Sequence, residues 1–152
     1  MRAIGDLIRS GKIRSFGLSN FRGWRIAEVV HLCKVLGVPQ PVVCQPYYNL
    51  LNRQPEVEIL PACAHYGLGV VPYSPLAREV LANPLISAVI VGPRTLAHLE
   101  AVYGALAITL DTEDEALVNA LVVPGHASSA GYNDPQYPFF GRPVQAAPRA
   151  CW

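Results

Sequence analysis

Short apolar strands alternating with amphipathic helices predict an α/β chain built on a parallel sheet or a piece of a (β/α) barrel. Two observations carry this. The runs PVVCQ (41–45), GVVPY (69–73) and SAVIV (87–91) are short and apolar throughout, as in strands covered on both faces. Around them, apolar residues recur at helical spacing in segments that stop at Gly11, Gly37 and Gly67. At 152 residues the length suits one domain with its own core.

The elements follow in order. Ile4, Leu7 and Ile8 share one face of a first helix that Gly11 closes, and residues 13–18 read as a strand that ends at Ser19-Asn20. Ile26, Val29, Val30, Cys33 and Leu36 keep the 3.6-residue period over 23–36. A strand over 41–45 leads to a helix over 56–66, in which Pro61 must kink the helix or start its regular part. Strands over 69–73 and 87–91 complete four. The last helices span 95–106 and 112–121, the second opening with Thr112 and Glu115 at capping-box spacing and stopping at Pro124-Gly125.

Between Tyr73 and Ser87 lie about a dozen residues, the minimum for a parallel crossover. Pro75 and Pro84 restrict them further, so at most a two-turn helix over 76–82 fits. From 127 onward Gly, Pro, Ser and aromatics follow no period. An irregular tail is expected there, packing through Tyr137, Phe139 and Phe140, with disordered last residues.

Lys plus Arg number 12 against 11 Asp plus Glu, and a net charge of +1 gives no general field for nucleic acid or an anionic membrane. No apolar run approaches the ~20 residues of a membrane span, and the start lacks a signal-peptide core. The expectation is a soluble cytoplasmic protein with neither a nucleic-acid nor a membrane partner. Cys33, Cys44, Cys63 and Cys151 are widely spaced, as are His31, His65, His98 and His126, so reduced thiols and no metal are expected.

Four segments in order carry a resemblance: GKIRSFGLSNF, QPYYNLLNR, GLGVVPYSPLAR and VIVGPRTLAHLEAVYGAL. Together they resemble the second half of the aldo-keto reductases, nicotinamide-dependent enzymes on an eight-stranded barrel. The resemblance implies an incomplete (β/α)8 TIM barrel, about four β/α units corresponding to strands five to eight. It divides the chain into a half-barrel over 1–125 and the tail over 126–152.

The resemblance also implies NADP(H) as cofactor. Ser19, Asn20 and Gln45 match the residues that hold the nicotinamide carboxamide, and Tyr73 the residue that stacks on its ring. Ser74 and Leu76 match the pyrophosphate lining. Gly92, Arg94 and Thr95 match the 2′-phosphate site, with His98 near the adenine, where Val102 departs from the family's usual polar residue. The residue types suit these tasks: amides offer both donor and acceptor, an aromatic face matches a flat ring, and an arginine before a helix start attracts phosphate. Taken singly, Ser19-Asn20 also reads as a helix cap, Gln45 as a turn residue, Tyr73 as a core aromatic and Arg94 as a solvated charge.

The family's proton-donating tyrosine, its lysine and aspartate, and its substrate-orienting histidine all belong to the first half of the barrel, so the chain begins after them. Lys12 and Lys34, the two lysines of the sequence, fall away from the strand ends that would carry the site. No catalytic residue is expected here. The short crossover also implies that a helix-bearing segment is missing at a join near Glu79. The chain alone is then expected to be inactive; the alternative is an assembly module whose exposed strands pair with a further copy or with a separate first half to complete the barrel.

Overall fold

The computed structural model describes residues 1–73, 85–106 and 111–127. Helix α1 (Arg2–Arg9) is followed by β1 (Gly17–Ser19), α2 (Gly23–Leu36), β2 (Val43–Gln45), α3 (Pro55–Tyr66), β3 (Gly69–Val70), α4 (Leu96–Leu106) and α5 (Thr112–Leu121). The strands form one parallel sheet in the order β1-β2-β3, with Leu18 beside Cys44 and Cys44 beside Val70. This is the β/α alternation of a partial barrel. The proposed helix at 76–82, the join near Glu79 and the aromatic tail lie outside the described residues.

Helices α2 and α3 cover one face of the sheet. Leu18, Cys44 and Val70 point into a core closed by Ile26, Ile59, Leu60 and Cys63, each at most 9% exposed. The period-2 alternation sends the intervening residues to the opposite face, where Val43, Gln45 and Val71 are half-buried and Ser19 is exposed. One side of the sheet is therefore dry and the other open. The hydrogen bond with Cys63 and burial push the Cys44 thiol well above its ordinary range, and burial does the same for Cys33.

Both long helices end as their sequences require. Gly37 and Gly67 adopt left-handed φ values of 63° and 70°, a conformation without steric cost only for glycine. Pro61 neither breaks nor starts α3. Its ring is exposed, and the carbonyl it leaves without a helical donor belongs to Val57, itself 67% exposed. At the N-terminal end of α2, the Gly23 amide donates to Glu58 Oε1 of α3 at 3.2 Å. A Cβ at Gly23 would lie 3.1 Å from the Glu58 Cβ and carbonyl oxygen, so the close crossing of the two helices requires glycine.

Three expectations are corrected. The first strand is confined to Gly17–Ser19 instead of 13–18. The helix at Thr112 is capped one residue earlier, by Asp111, whose carboxylate accepts the Glu113 and Asp114 amides at 2.8 and 2.9 Å while Asp114 reaches back to the Asp111 amide. A short carboxylate at the N-cap outcompetes the hydroxyl that follows it, because it accepts two amides and faces the positive end of the helix dipole.

The third correction concerns the fourth strand. Residues 87–91 lie along β3, with the Ser87 and Ala88 amides donating to Val70 O at 2.8 and 3.4 Å and the Ile90 amide to Pro72 O at 3.0 Å, yet no ladder forms. The amides of Gly69, Val71 and Tyr73 donate to Val42 O, Cys44 O and Pro46 O, along β2 and the residues that flank it, leaving Val70 and Pro72 turned to the outer edge. Proline has no N–H to give. The one remaining donor, Val70 N, is taken by the Ser87 hydroxyl at 3.1 Å. Backbone-to-backbone hydrogen bonds therefore run in one direction across this edge.

Candidate functional site

The carboxyl ends of β1, β2 and β3 bring four of the sequence-predicted residues together. Asn20 sits immediately after β1 with φ of 57°, a left-handed conformation that asparagine tolerates better than other side-chain-bearing residues. Its amide donates to the Gln45 carbonyl at 3.2 Å, and the Ser19 hydroxyl donates to the same oxygen at 3.2 Å. The Tyr73 hydroxyl donates to Asn20 Oδ1, also at 3.2 Å. Asn20 Nδ2 is buried and has no hydrogen-bond partner among the described residues.

This geometry sorts the polar atoms by what they can still do. The Ser19 proton is spent on a backbone carbonyl, so its oxygen faces a ligand as an acceptor. Asn20 has its oxygen occupied and keeps a buried donor, which costs about 1–3 kcal/mol unless something accepts from it. One acceptor beside one donor is the complement of a primary carboxamide. The residues thus fit the nicotinamide end of the implied cofactor.

Tyr73 is held in turn. Its amide donates to Pro46 O at 3.2 Å, and its ring lies against that of Tyr47, centroids 5.4 Å apart and planes 35° from parallel. Tyr47 is fixed from behind by Asn52, whose Nδ2 donates to the Tyr47 carbonyl at 2.9 Å. Asn49 closes that loop as an Asx turn, its Oδ1 accepting the Leu51 and Asn52 amides at 2.9 and 3.0 Å. Tyr47 falls near these strand ends in the sequence too, but it is not among the expected cofactor contacts. Its position two residues beyond Gln45, on the alternation that faces the open side of the sheet, is the signal that could have found it.

The expected phosphate residues behave differently. Gly92, Arg94, Thr95 and His98 are all exposed, and no described hydrogen bond ties them to the four residues above. Thr95 caps α4, its Oγ1 accepting the His98 amide and its carbonyl the Leu99 amide, both at 3.2 Å. Of the amides at the start of α4, that of His98 is therefore already engaged. Ser74 and Leu76 lie outside the described residues. Among the described residues no group of three His, Cys, Asp or Glu side chains could hold a metal, and no helix is long and apolar enough to cross a membrane.

A second polar cluster backs the loop after β2. Glu56 accepts from the Tyr48 hydroxyl at 2.7 Å, from Arg53 Nε at 2.9 Å and from the Gly125 amide at 3.1 Å. Arg53 also donates to Asn119 Oδ1 at 2.7 Å and to Val122 O at 3.1 Å. The segment at the end of α5 is thereby pinned beneath the loop that carries Tyr47. A bridge between Asn52 and Ala127 continues the attachment.

Comparison with known proteins identifies the family. Residues 1–84 match the model of the aldo/keto reductase family. The chain is 43% identical over 81 residues to aflatoxin B1 aldehyde reductase member 2 of Mus musculus, covering 53% of this chain and 22% of that protein. It is 38% identical over 85 residues to a putative aryl-alcohol dehydrogenase of Schizosaccharomyces pombe, covering 56% and 26%. Over 87 residues it is 36% identical to versiconal hemiacetal acetate reductase of Aspergillus parasiticus, covering 57% and 25%. The aligned stretch is about a quarter of each relative's length. The residues that the family model matches include Ser19, Asn20, Gln45 and Tyr73, whereas Gly92, Arg94, Thr95 and His98 lie beyond them. With the family model covering more than half of the sequence and the carboxamide-complementary pair at the strand ends, the chain belongs to the aldo/keto reductase family.

Proposed function

We propose that this chain holds the nicotinamide end of NADP(H) for a carbonyl reductase and does not itself complete the reduction. The observation that carries this is the Ser19 acceptor beside the buried, unpartnered Asn20 donor. Gln45 adds its side chain at the same strand ends, and the Tyr73 ring supplies an aromatic face for the pyridine. When bound, the cofactor supplies the hydride; the residues of this chain bind and orient it. Arg94 provides the charge for the 2′-phosphate, which makes NADPH preferred over NADH.

The family reduces carbonyl compounds with NADP(H), and the names of the relatives point to aldehydes and alcohols as the substrate class. Proton donation would need a tyrosine made acidic by a neighbouring lysine. Lys12 follows α1 and Lys34 lies in the last turn of α2, both exposed and away from the strand ends. No other lysine is present in the sequence. The chain alone is therefore proposed to bind the cofactor without turnover.

The test is thermal unfolding with and without cofactor. A midpoint that rises with NADPH, and rises less with NADH or in Arg94→Ala, supports the reading. A midpoint indifferent to NADPH refutes binding, and carbonyl-dependent NADPH oxidation by the purified chain refutes inactivity.

A second reading is favoured by the open side of the sheet. Asn20 N donating to Gln45 O sets the parity of β1, so the backbone groups of Gly17 and Ser19 turn to an outer edge. We infer an assembly role in which that edge and the half-buried face of the sheet meet a complementary half-barrel chain or a further copy. A discrete oligomer in light scattering is the expected result; indefinite aggregates refute it.

A further inference from the structure

We propose that Tyr73 is a positioning residue whose hydroxyl fixes the Asn20 side-chain amide, so that this corner of the site reads a hydrogen-bond acceptor on its ligand and rejects a donor. The proposal rests on the nicotinamide reading above. An asparagine amide has two orientations of nearly equal shape, related by a half-turn, and a site that permits both reads donors and acceptors alike. Here one orientation is selected. The Tyr73 hydroxyl gives its proton to Asn20 Oδ1 at 3.2 Å, which leaves Nδ2 as the buried atom without a partner among the described residues.

The reverse orientation would ask a phenol oxygen, a weak acceptor conjugated with its ring, to take an N–H, and would leave the hydroxyl proton without the amide oxygen. Both ends of the contact are anchored. Asn20 is rooted by its amide bond to Gln45 O at 3.2 Å and by a backbone φ of 57°. Tyr73 is rooted by its amide bond to Pro46 O and by the Tyr47 ring. Tyr73 therefore has a role beyond offering a ring face: it sets the polarity of the group that meets the ligand.

The experiment has a ligand-free arm and a ligand arm, both on the full chain. In the ligand-free arm, Tyr73→Phe and Asn20→Ala are combined in a double-mutant cycle of urea unfolding. Removing the hydroxyl should change the unfolding equilibrium constant about fivefold with Asn20 present and scarcely at all in Asn20→Ala. An additive cycle overturns the proposal.

In the ligand arm, NADP+ is compared with two analogues whose carboxamide is replaced by an acetyl group, which keeps the acceptor, or by an amino group, which puts a donor in its place. The wild-type chain should bind the acetyl analogue somewhat more weakly than NADP+, because it lacks the N–H that Ser19 accepts, and the amino analogue about tenfold more weakly than the acetyl one, a gap that Tyr73→Phe narrows. Asn20→Asp keeps an oxygen for Tyr73 and turns a second one outward, so it should invert the preference toward the amino analogue even if the Phe variant fails to fold. A purely structural role for Tyr73 would alter all three affinities together; that outcome overturns the assignment. Coupling in the ligand-free arm without any NADP+ binding would support the Tyr73–Asn20 lock and overturn the nicotinamide reading.

Discussion

Arg53→Ala is expected to be among the most damaging single substitutions outside the hydrophobic core. Arg53 and Glu56 form an ion pair at 2.9 Å with side chains only 14% and 18% exposed, so solvent screens it little. Removing the guanidinium also deletes the bonds to Asn119 and Val122 that hold the end of α5. It leaves the Glu56 carboxylate with a hydroxyl and an amide but no counter-charge. Breaking such a pair from one side costs about 3–5 kcal/mol. Measured by urea unfolding followed by circular dichroism, this loss is a large part of the roughly 5–15 kcal/mol available to a typical domain. Arg53→Ala combined with Glu56→Gln should cost less than the sum of the two, because the second change removes the stranded charge. Hydrogen exchange should also show the amides of α5 losing protection ahead of those of α2. A cost below about 1 kcal/mol, or strict additivity, would refute the view that this cluster is what pins α5.

Other perturbations test separate features. Gly17→Ala would place a Cβ 2.5 Å from Val43 Cγ1, so a destabilisation of about 1–3 kcal/mol is expected in thermal melts, with partial rescue by Val43→Ala. Asp111→Ala should cost about 1 kcal/mol, read as reduced helicity and faster amide exchange in α5, whereas Thr112→Ala should cost far less. The thiols of Cys33 and Cys44 are pushed above their ordinary value of 9.0, so the unfolded chain ionises first as pH rises. The folded state then binds more protons at these two thiols, while Cys63, lowered by the same hydrogen bond with Cys44, offsets part of the difference, so stability should fall above about pH 9 by at most ~1.4 kcal/mol per pH unit for each raised thiol. Denaturation midpoints from pH 8 to 10 would check this, and Cys44→Ala should flatten the slope.

Much of the fold was legible because its signals are local. The boundaries of α2 and α5 follow apolar period and glycine or proline punctuation, and these act within a few residues of one another. The fourth strand was misread for a non-local reason. Residues 87–91 have the apolar character of a buried strand, but a ladder also needs donors on its neighbour, and Pro72 removes one while the Ser87 side chain takes the other. The cap of α5 was displaced because Asp111 and Thr112 are both good caps and only geometry chooses between them.

The candidate site divides along the same line. Ser19, Asn20, Gln45 and Tyr73 were legible because each falls at the carboxyl end of a strand in a recognisable segment. The polarity of the group was not, since it depends on which atom of Asn20 the Tyr73 hydroxyl engages across 53 residues of sequence. Arg53 and Glu56 escaped notice because an i,i+3 pair at a helix start ordinarily reads as a solvated surface feature.

The outer edge of β3 has a further consequence for how such a chain can grow into larger structures. Fibrils and open-ended sheets extend only if each added chain presents a new edge able both to give and to receive backbone hydrogen bonds. Here Pro72 and the Ser87 hydroxyl silence the donors on one side, while Gly17 and Ser19 keep both kinds of group on the other. Residues 87–91 already lie along the β3 side, so among the described strands the β1 edge is the one left to meet a further strand. Proline at position 72 thus withholds from this side of β3 a donor that a regular ladder needs, so what covers it must give hydrogen bonds without receiving them there.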